Sequence, residues 1–359
     1  MRHYRVKLIA ETSLHLGRDR ATRVSRHSRH YIPASTISGA VNTFLYQRGL
    51  YHLMGQFRFT NLYIAEDDER VWIPTPRNVL VCPACREAYV VKRADDVWEF
   101  EDLICTCPAR ALRKPYKGFI LVQSPGPASF ASPQEIRLRR QAVEEAWLLG
   151  RTAHDRWRGI QQSGKLHFVE ILPSNSRLIF QGYISVSDKA SALPSLLTGA
   201  RLRVGGLLSR GCGRARLTFQ RLELEEMVGG KLLVIESPLL PLALLPPRLK
   251  DRLRQYEAVT TSQIAQIGIC ERWSIKLESE VGGGLLSFPN VLDISSVIQV
   301  DEKVEGVSEA LFFYEIESGR LRLYMCPFKL GSEAKSQIGP YSLTELWSLG
   351  FGKLRYLHF

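Results

Sequence analysis

The sequence holds no uninterrupted apolar run of the about 18 residues that a membrane-spanning helix requires. Its most apolar stretch, 232–247, is broken by Glu236, Pro238, Pro241 and Pro246. The opening Met1-Arg2-His3-Tyr4-Arg5 is basic, yet no apolar segment of signal-peptide length follows it. These absences lead to the expectation of a soluble, cytoplasmic protein with no membrane partner. A disulfide scaffold is disfavoured as well, because the cysteines number 7, an odd count, and four of them form two tight pairs. That pattern fits metal ligation in a reducing compartment better than a disulfide framework. Hydrophobic residues at 45% and charged residues at 23% argue against a disordered or fibrous chain. A length of 359 residues suffices for about two domains with cores of their own.

Acidic side chains are scarce in one part of the chain only. Residues 1–220 carry 33 Lys and Arg against 18 Asp and Glu, whereas 221–359 carry 15 against 18, so the net charge of +12 arises wholly in the first part. Such asymmetry points to a polyanionic partner for that part and to protein contacts for the rest.

Residues 4–10 alternate in the period of a half-buried strand. A loop over 17–30 follows, with Arg18, Arg20, Arg23, Arg26 and Arg29 among almost no apolar side chains. Ser35 then reads as the N-cap of a helix that places Ile37, Val41, Phe44 and Leu45 on one face and stops at Gly49. Ser132-Pro133-Gln134-Glu135 combines a capping box with proline at the first helical position, which predicts a second helix to about 149. Strands are predicted over 165–171, 177–186 and 214–222, with a short helix at 191–197. The fold class expected from this alternation is α+β.

Two short echoes link the ends of two modules. Leu8-Ile9-Ala10-Glu11-Thr12-Ser13-Leu14 matches Leu233-Val234-Ile235-Glu236-Ser237-Pro238-Leu239, and Gly211-Cys212-Gly213-Arg214-Ala215-Arg216 matches Gly350-Phe351-Gly352-Lys353-Leu354-Arg355. The expected domains are 1–225, enlarged by an insertion at about 78–115, and a degenerate second copy over 229–359. The closing Leu354-Arg355-Tyr356-Leu357-His358-Phe359 is an apolar tail that should pair in a sheet or dock on a neighbour.

Two motifs carry chemistry. Cys82-Pro83-Ala84-Cys85 and Cys105-Thr106-Cys107 offer four thiolates, a set that closes a tetrahedral structural zinc site and leaves no open position for catalysis. One structural zinc, held by Cys82, Cys85, Cys105 and Cys107, is expected. The second motif, 203–214, sets Gly205, Gly206, Gly211 and Gly213 among Arg203, Arg210 and Arg214. Glycines let a backbone approach a polyanion closely, and guanidinium forks reach phosphate oxygens. A hairpin turn needing positive φ would explain Gly211 and Gly213 but not the flanking arginines. No Gly-Lys-Ser/Thr follows, and no helix with a later acidic residue, so neither a Walker loop nor a dinucleotide fingerprint is present.

Tyr31-Ile32-Pro33-Ala34-Ser35-Thr36-Ile37-Ser38-Gly39-Ala40, then Gly164-Lys165-Leu166-His167-Phe168-Val169-Glu170-Ile171-Leu172-Pro173 leading into Phe180-Gln181-Gly182-Tyr183-Ile184, then the glycine loop, resemble in their order the motifs of the RAMP superfamily of CRISPR effector proteins. Ala34 stands where a glycine is common, and Cys212 replaces the usual aromatic. The paired cysteines, Arg151-Thr152-Ala153-His154-Asp155 and the degenerate second half are most similar to the Csx-ten type subunit of type III-D systems, a Cas-five-like family that caps the guide RNA 5′ end. The resemblance implies two ferredoxin-like (RRM-like) domains and binding without turnover. The implied function is a non-enzymatic, crRNA-binding subunit of a type III interference complex that holds the 5′ handle. Its implied partners are crRNA, a large polymerase-like subunit and backbone RAMP subunits, with target RNA left open. Gly205, Gly206, Arg210, Gly211, Gly213 and Arg214 would lie along the handle, and Ser35 and Thr36 would donate to phosphate. Arg203 joins them, and Arg18, Arg20 and Arg23 are assigned by charge alone.

Two other readings stay open at this stage. His15, or His154 beside Asp155, could move protons in metal-independent RNA cleavage. The cysteine segment could instead make the chain a zinc-dependent protein-interaction module.

Overall fold

Strand β1 (Arg2–Ala10) buries Val6, Leu8 and Ala10, and its alternation sets the register of its neighbours. It is paired antiparallel on both sides. The chain divides into two units, one from 1–65 with 141–222 and the other from 66–140 with 223–359. The architecture is α+β and mostly antiparallel. The computed structural model describes residues 2–17, 25–26, 28–91, 93–94, 97–98, 103–123, 128–129, 137–140, 142, 146–151, 154–155, 160–161, 167–174, 178–222, 232–236, 269–277, 284–292, 294–295, 297–299, 309–310, 314–317, 320–323 and 354–358.

In the first unit, β1 is followed by β2 (Tyr31–Ile32), α1 (Ala34–Gln47), β3 (Phe57–Phe59) and β4 (Leu62–Ala65). After the chain returns come β5 (Trp147–Arg151), β6 (His167–Ile171), β7 (Ile179–Val186), α2 (Leu193–Leu197), β8 (Arg201–Arg203) and β9 (Arg214–Arg221). The sheet runs β4, β7, β1, β9, β8, with β2 beside β4 and β3 beside β7. Register partners Leu8 and Phe180, and Leu8 and Leu217, put the buried residues of β7, β1 and β9 on one face. Ile37, Val41 and Leu45 of α1 and Leu193 and Leu197 of α2 are buried too, and both helices lie against this sheet. The other face carries His3, Arg5 and Lys7 opposite Ser185, Tyr183 and Gln181. There His3 Nδ1 lies 2.7 Å from Ser185 Oγ, and Arg5 donates to Gln181 Oε1 at 2.8 Å.

The start of α1 departs from expectation. Pro33 occupies the N-cap position and no cap side chain bonds the helix, so Ser35, two residues further in, does not cap it. The cap comes from afar, since the Ala34 N–H donates to Asn61 Oδ1 at 3.0 Å. Phe59 pairs with Ile184 and Tyr63 with Gln181, so three residues face two, a β-bulge that re-aims Asn61. Gly182 opposite has no room for a side chain, since a Cβ would stand 2.6 Å from the Asn61 carbonyl oxygen. At its other end α1 stops as expected, with Gly49 at φ 71°.

The helix predicted from Ser132 to about 149 is not found where the chain is described, and its start at Ser132-Pro133-Gln134-Glu135 lies outside the described residues. Leu138–Arg139 and Trp147–Arg151 are strands, and β5 pairs antiparallel with β6 from Trp147 against Ile171 to Arg151 against His167. A capping box is a local preference of about 1 kcal/mol, and at 147–151 the pairing with β6 prevails.

In the second unit Arg70–Pro74 pairs with Phe119–Gln123, and the segment between folds as a three-stranded sheet in which Val79–Val81 lies between Lys114–Pro115 and Ala88–Val90. Leu232–Ile235 pairs antiparallel with Leu354–His358. The opening and closing strands named by the sequence echo therefore pair here, as β1 and β9 do in the first unit, and the apolar tail is part of a sheet.

Candidate nucleic-acid interface and metal centre

The connection from β8 to β9 is tied to the chain just after β1. Gly213 N–H donates to the Ser13 carbonyl at 2.9 Å, Gly206 N–H to the His15 carbonyl at 2.8 Å, and Val204 N–H to the Gly213 carbonyl at 2.8 Å. The Arg214 N–H donates to Thr12 Oγ1 at 2.9 Å. Gly205 and Gly213 sit at φ 85° and 88°, and a Cβ there would stand 2.5 Å from the His15 oxygen and 2.6 Å from the Val204 oxygen. Both glycines are thus required by close backbone approach as well as by φ.

Charge divides along the hairpin. Arg201 and Arg216 are register partners, and both reach Glu11, Arg201 Nε at 3.9 Å and Arg216 Nε in closer contact. Arg203 and Arg214 are the next register pair, and with Arg210 they are exposed. Among the described residues no carboxylate forms an ion pair with these three. Ser35 and Thr36 lie half-buried in the first turn of α1. Arg18, Arg20 and Arg23 lie outside the described residues, as does the side chain of His154.

Below the glycine loop is a cluster that the sequence did not single out. Glu170 is buried on β6. One carboxylate oxygen accepts from the Ser28 N–H at 3.1 Å and the other lies 3.6 Å from His30 Nε2. Its carbonyl oxygen is 2.8 Å from His15 Nδ1. Glu170, Ser28 and His30 come together because Ser25–Arg26 pairs with Phe168 and Val169, Leu14 bridges Leu172 and Gly17 bridges Ser28, so no local spacing announces them.

The four cysteines of the second unit converge. Their sulfurs all lie within 4.8 Å of one another, with Cys82 Sγ to Cys107 Sγ 3.8 Å and Cys85 Sγ to Cys105 Sγ 3.5 Å. Tetrahedral ligands with metal–sulfur bonds of about 2.3 Å stand about 3.8 Å apart. Two turns deliver them: Arg86 N–H donates to the Cys82 carbonyl and Arg110 N–H to the Cys107 carbonyl, each at 2.9 Å, with Arg86 and Arg110 at positive φ. The backbone N–H groups of Cys85 and Ala84 help bring the Cys82 thiol down to about 6. At Cys105 the Cys107 N–H pulls the same way, but burial and the neighbouring thiols push it up to about 12. Four sulfurs so close cannot all ionise without a cation among them. Arg113 Nη2 stands 3.9 Å from Cys105 Sγ and 3.6 Å from Glu87 Oε2, a positive charge suited to a four-thiolate centre. This donor set can hold a metal ion.

No protein-family model matches the chain, and no curated protein matches it. Solved structures do. A chain of the type III-B Cmr-beta complex bound to cognate target RNA is 11% identical, with 82% of this chain and 86% of that one covered and a TM-score of 0.47. A chain of a type IV-B CRISPR complex is 12% identical over 62% of this chain and 92% of its own, TM-score 0.30. Oligomeric Cmr4 from Pyrococcus furiosus is 13% identical over 62% and 99%, TM-score 0.27.

Proposed function

We propose that the protein is a RAMP-type subunit of a type III CRISPR effector complex, that it binds guide RNA without cleaving it, and that it holds the 5′ handle on the glycine loop. One observation carries this reading. Arg203, Arg210 and Arg214 stand exposed, without acidic partners among the described residues, around a loop whose backbone is fixed by Gly205 and Gly213. An arginine already paired to carboxylate would have to break that pair to grip phosphate; these three need not. The order of β1, α1, β4, β7, α2 and β9, with β1 between β7 and β9, supports a ferredoxin-like first domain. A second such domain is proposed for 229–359, on the pairing of Leu232–Ile235 with Leu354–His358. Structural zinc at Cys82, Cys85, Cys105 and Cys107 would tie the two cysteine turns together beside the small sheet of Val79–Val81 and Ala88–Val90. The near-neutral second half suits contacts with neighbouring effector subunits.

His15, the histidine nearest the glycine loop, is buried with Nδ1 bonded to the Glu170 carbonyl, and binding without turnover is the part of this reading that an RNA-cleavage assay decides. Native purification with its operon neighbours, followed by sequencing of copurifying RNA, tests the assignment, and repeat-derived guides are expected. Incubation of the pure protein with repeat RNA in EDTA should leave the RNA intact, and cleavage there would establish the endoribonuclease reading instead.

A further inference from the structure

His15 is a polar ring built into the floor of the glycine loop. Its Nδ1 is 2.8 Å from the Glu170 carbonyl oxygen, and a carbonyl can only accept, so Nδ1 carries a proton. In the neutral imidazole Nε2 is then an acceptor. No described residue partners Nε2. The residue is only 7% exposed, and the edge that carries Nε2 is flanked by glycines. A Cβ at Gly206 would come within 3.1 Å of Cδ2, and one at Gly17 within 3.9 Å of Nε2. The loop above holds the exposed Arg203, Arg210 and Arg214.

We propose that His15 Nε2 accepts a hydrogen bond from a ribose 2′-hydroxyl of the bound strand and so makes the site select RNA over DNA. This rests on the RNA-binding reading above. Phosphate oxygens are acceptors and do not bond a second acceptor. Along a nucleic-acid backbone gripped by arginines, the 2′-hydroxyl is the donor that remains, and DNA lacks it. A base amino group is a donor too, but its contact would depend on sequence.

The test compares binding of a mixed-sequence single-stranded RNA with its deoxyuridine-containing DNA counterpart. In His15→Asn the amide nitrogen takes the place of Nδ1 and keeps the bond to Glu170, while Nε2 is lost. In His15→Gln the amide oxygen stands near the place of Nε2. The wild-type protein should prefer RNA by about three- to tenfold, the worth of one hydrogen bond. His15→Asn should lose that preference by weakening RNA binding alone, and His15→Gln should regain part of it, with all three proteins melting alike. The salt dependence of binding should be the same in all three. An unchanged RNA-to-DNA ratio in His15→Asn would overturn the inference. So would a shallower salt slope in that variant, which would make the ring a phosphate-binding cation, or a preference that follows base identity. If the wild-type protein binds no RNA, the proposed function itself fails.

Discussion

The Gly206 amide donates to the His15 carbonyl at 2.8 Å, and the preceding glycine lies so close that a Cβ on Gly205 would stand 2.5 Å from the same oxygen. One backbone oxygen therefore fixes where the arginine-bearing loop sits against the end of β1. Side-chain charge is presented from a rigid base, which reduces the ordering cost of binding a flexible strand.

Replacing Gly205 by alanine should be far worse than replacing Gly211. Both have φ 85°, but nothing lies within 4 Å of a Cβ at Gly211. Gly211→Ala should cost about 1 kcal/mol, the strain of the left-handed region. Gly205→Ala adds a backbone clash and should cost about 3 kcal/mol or displace the loop. Urea denaturation of the two variants checks the difference, and equal midpoints would contradict the packing described.

Helix α1 should depend on a residue far along the chain. Asn61→Ala leaves the buried Ala34 N–H without its acceptor and should cost about 1–3 kcal/mol, whereas Ser35→Ala should stay within about 0.5 kcal/mol. The reverse order in thermal melts would restore Ser35 as the cap.

His3 gives stability a pH dependence. Burial, the larger cause, lowers its folded-state value from 6.5 to about 4. Between those values the unfolded chain binds a proton that the folded chain does not, so stability is full above pH 6.5 and falls as the pH drops toward 4. The loss should reach about 3 kcal/mol at most. His3→Gln should flatten the difference in stability between pH 6.5 and pH 4, read by urea denaturation at each pH.

Metal content should be one zinc per chain and should require the cysteines. Cys82→Ser should reduce bound zinc and lower the melting temperature, and a strong chelator should do the same to the wild-type protein. Full zinc content in Cys82→Ser, read by elemental analysis, would remove the metal assignment.

The parts that sequence reasoning found are those written in short-range pattern. Alternation along residues 4–10 gave β1, Gly49 marked the end of α1, and the spacing of Cys82, Cys85, Cys105 and Cys107 marked a cluster that the fold brings together. What it missed is set by pairing between distant segments. Asn61 reaches Ala34 through a bulge against Gly182, and Glu170 meets Ser28 and His30 across a junction of separate strands. At Trp147 the partner is β6, a distant pairing of which the capping signal 15 residues earlier gives no hint. The arginines illustrate the same limit, since composition could not say that Arg216 is held by Glu11 while Arg203, Arg210 and Arg214 are not.

The most direct test of the account is the slope of guide RNA affinity against salt concentration for the wild-type protein and for the Arg203→Ala, Arg210→Ala, Arg214→Ala triple variant. Each phosphate contact on a single strand contributes about 0.7 to that slope. The variant should therefore bind more weakly, with a slope shallower by about 2, at an unchanged melting temperature. Equal affinity and equal slope in the two proteins would contradict electrostatic capture of the RNA backbone by the glycine loop.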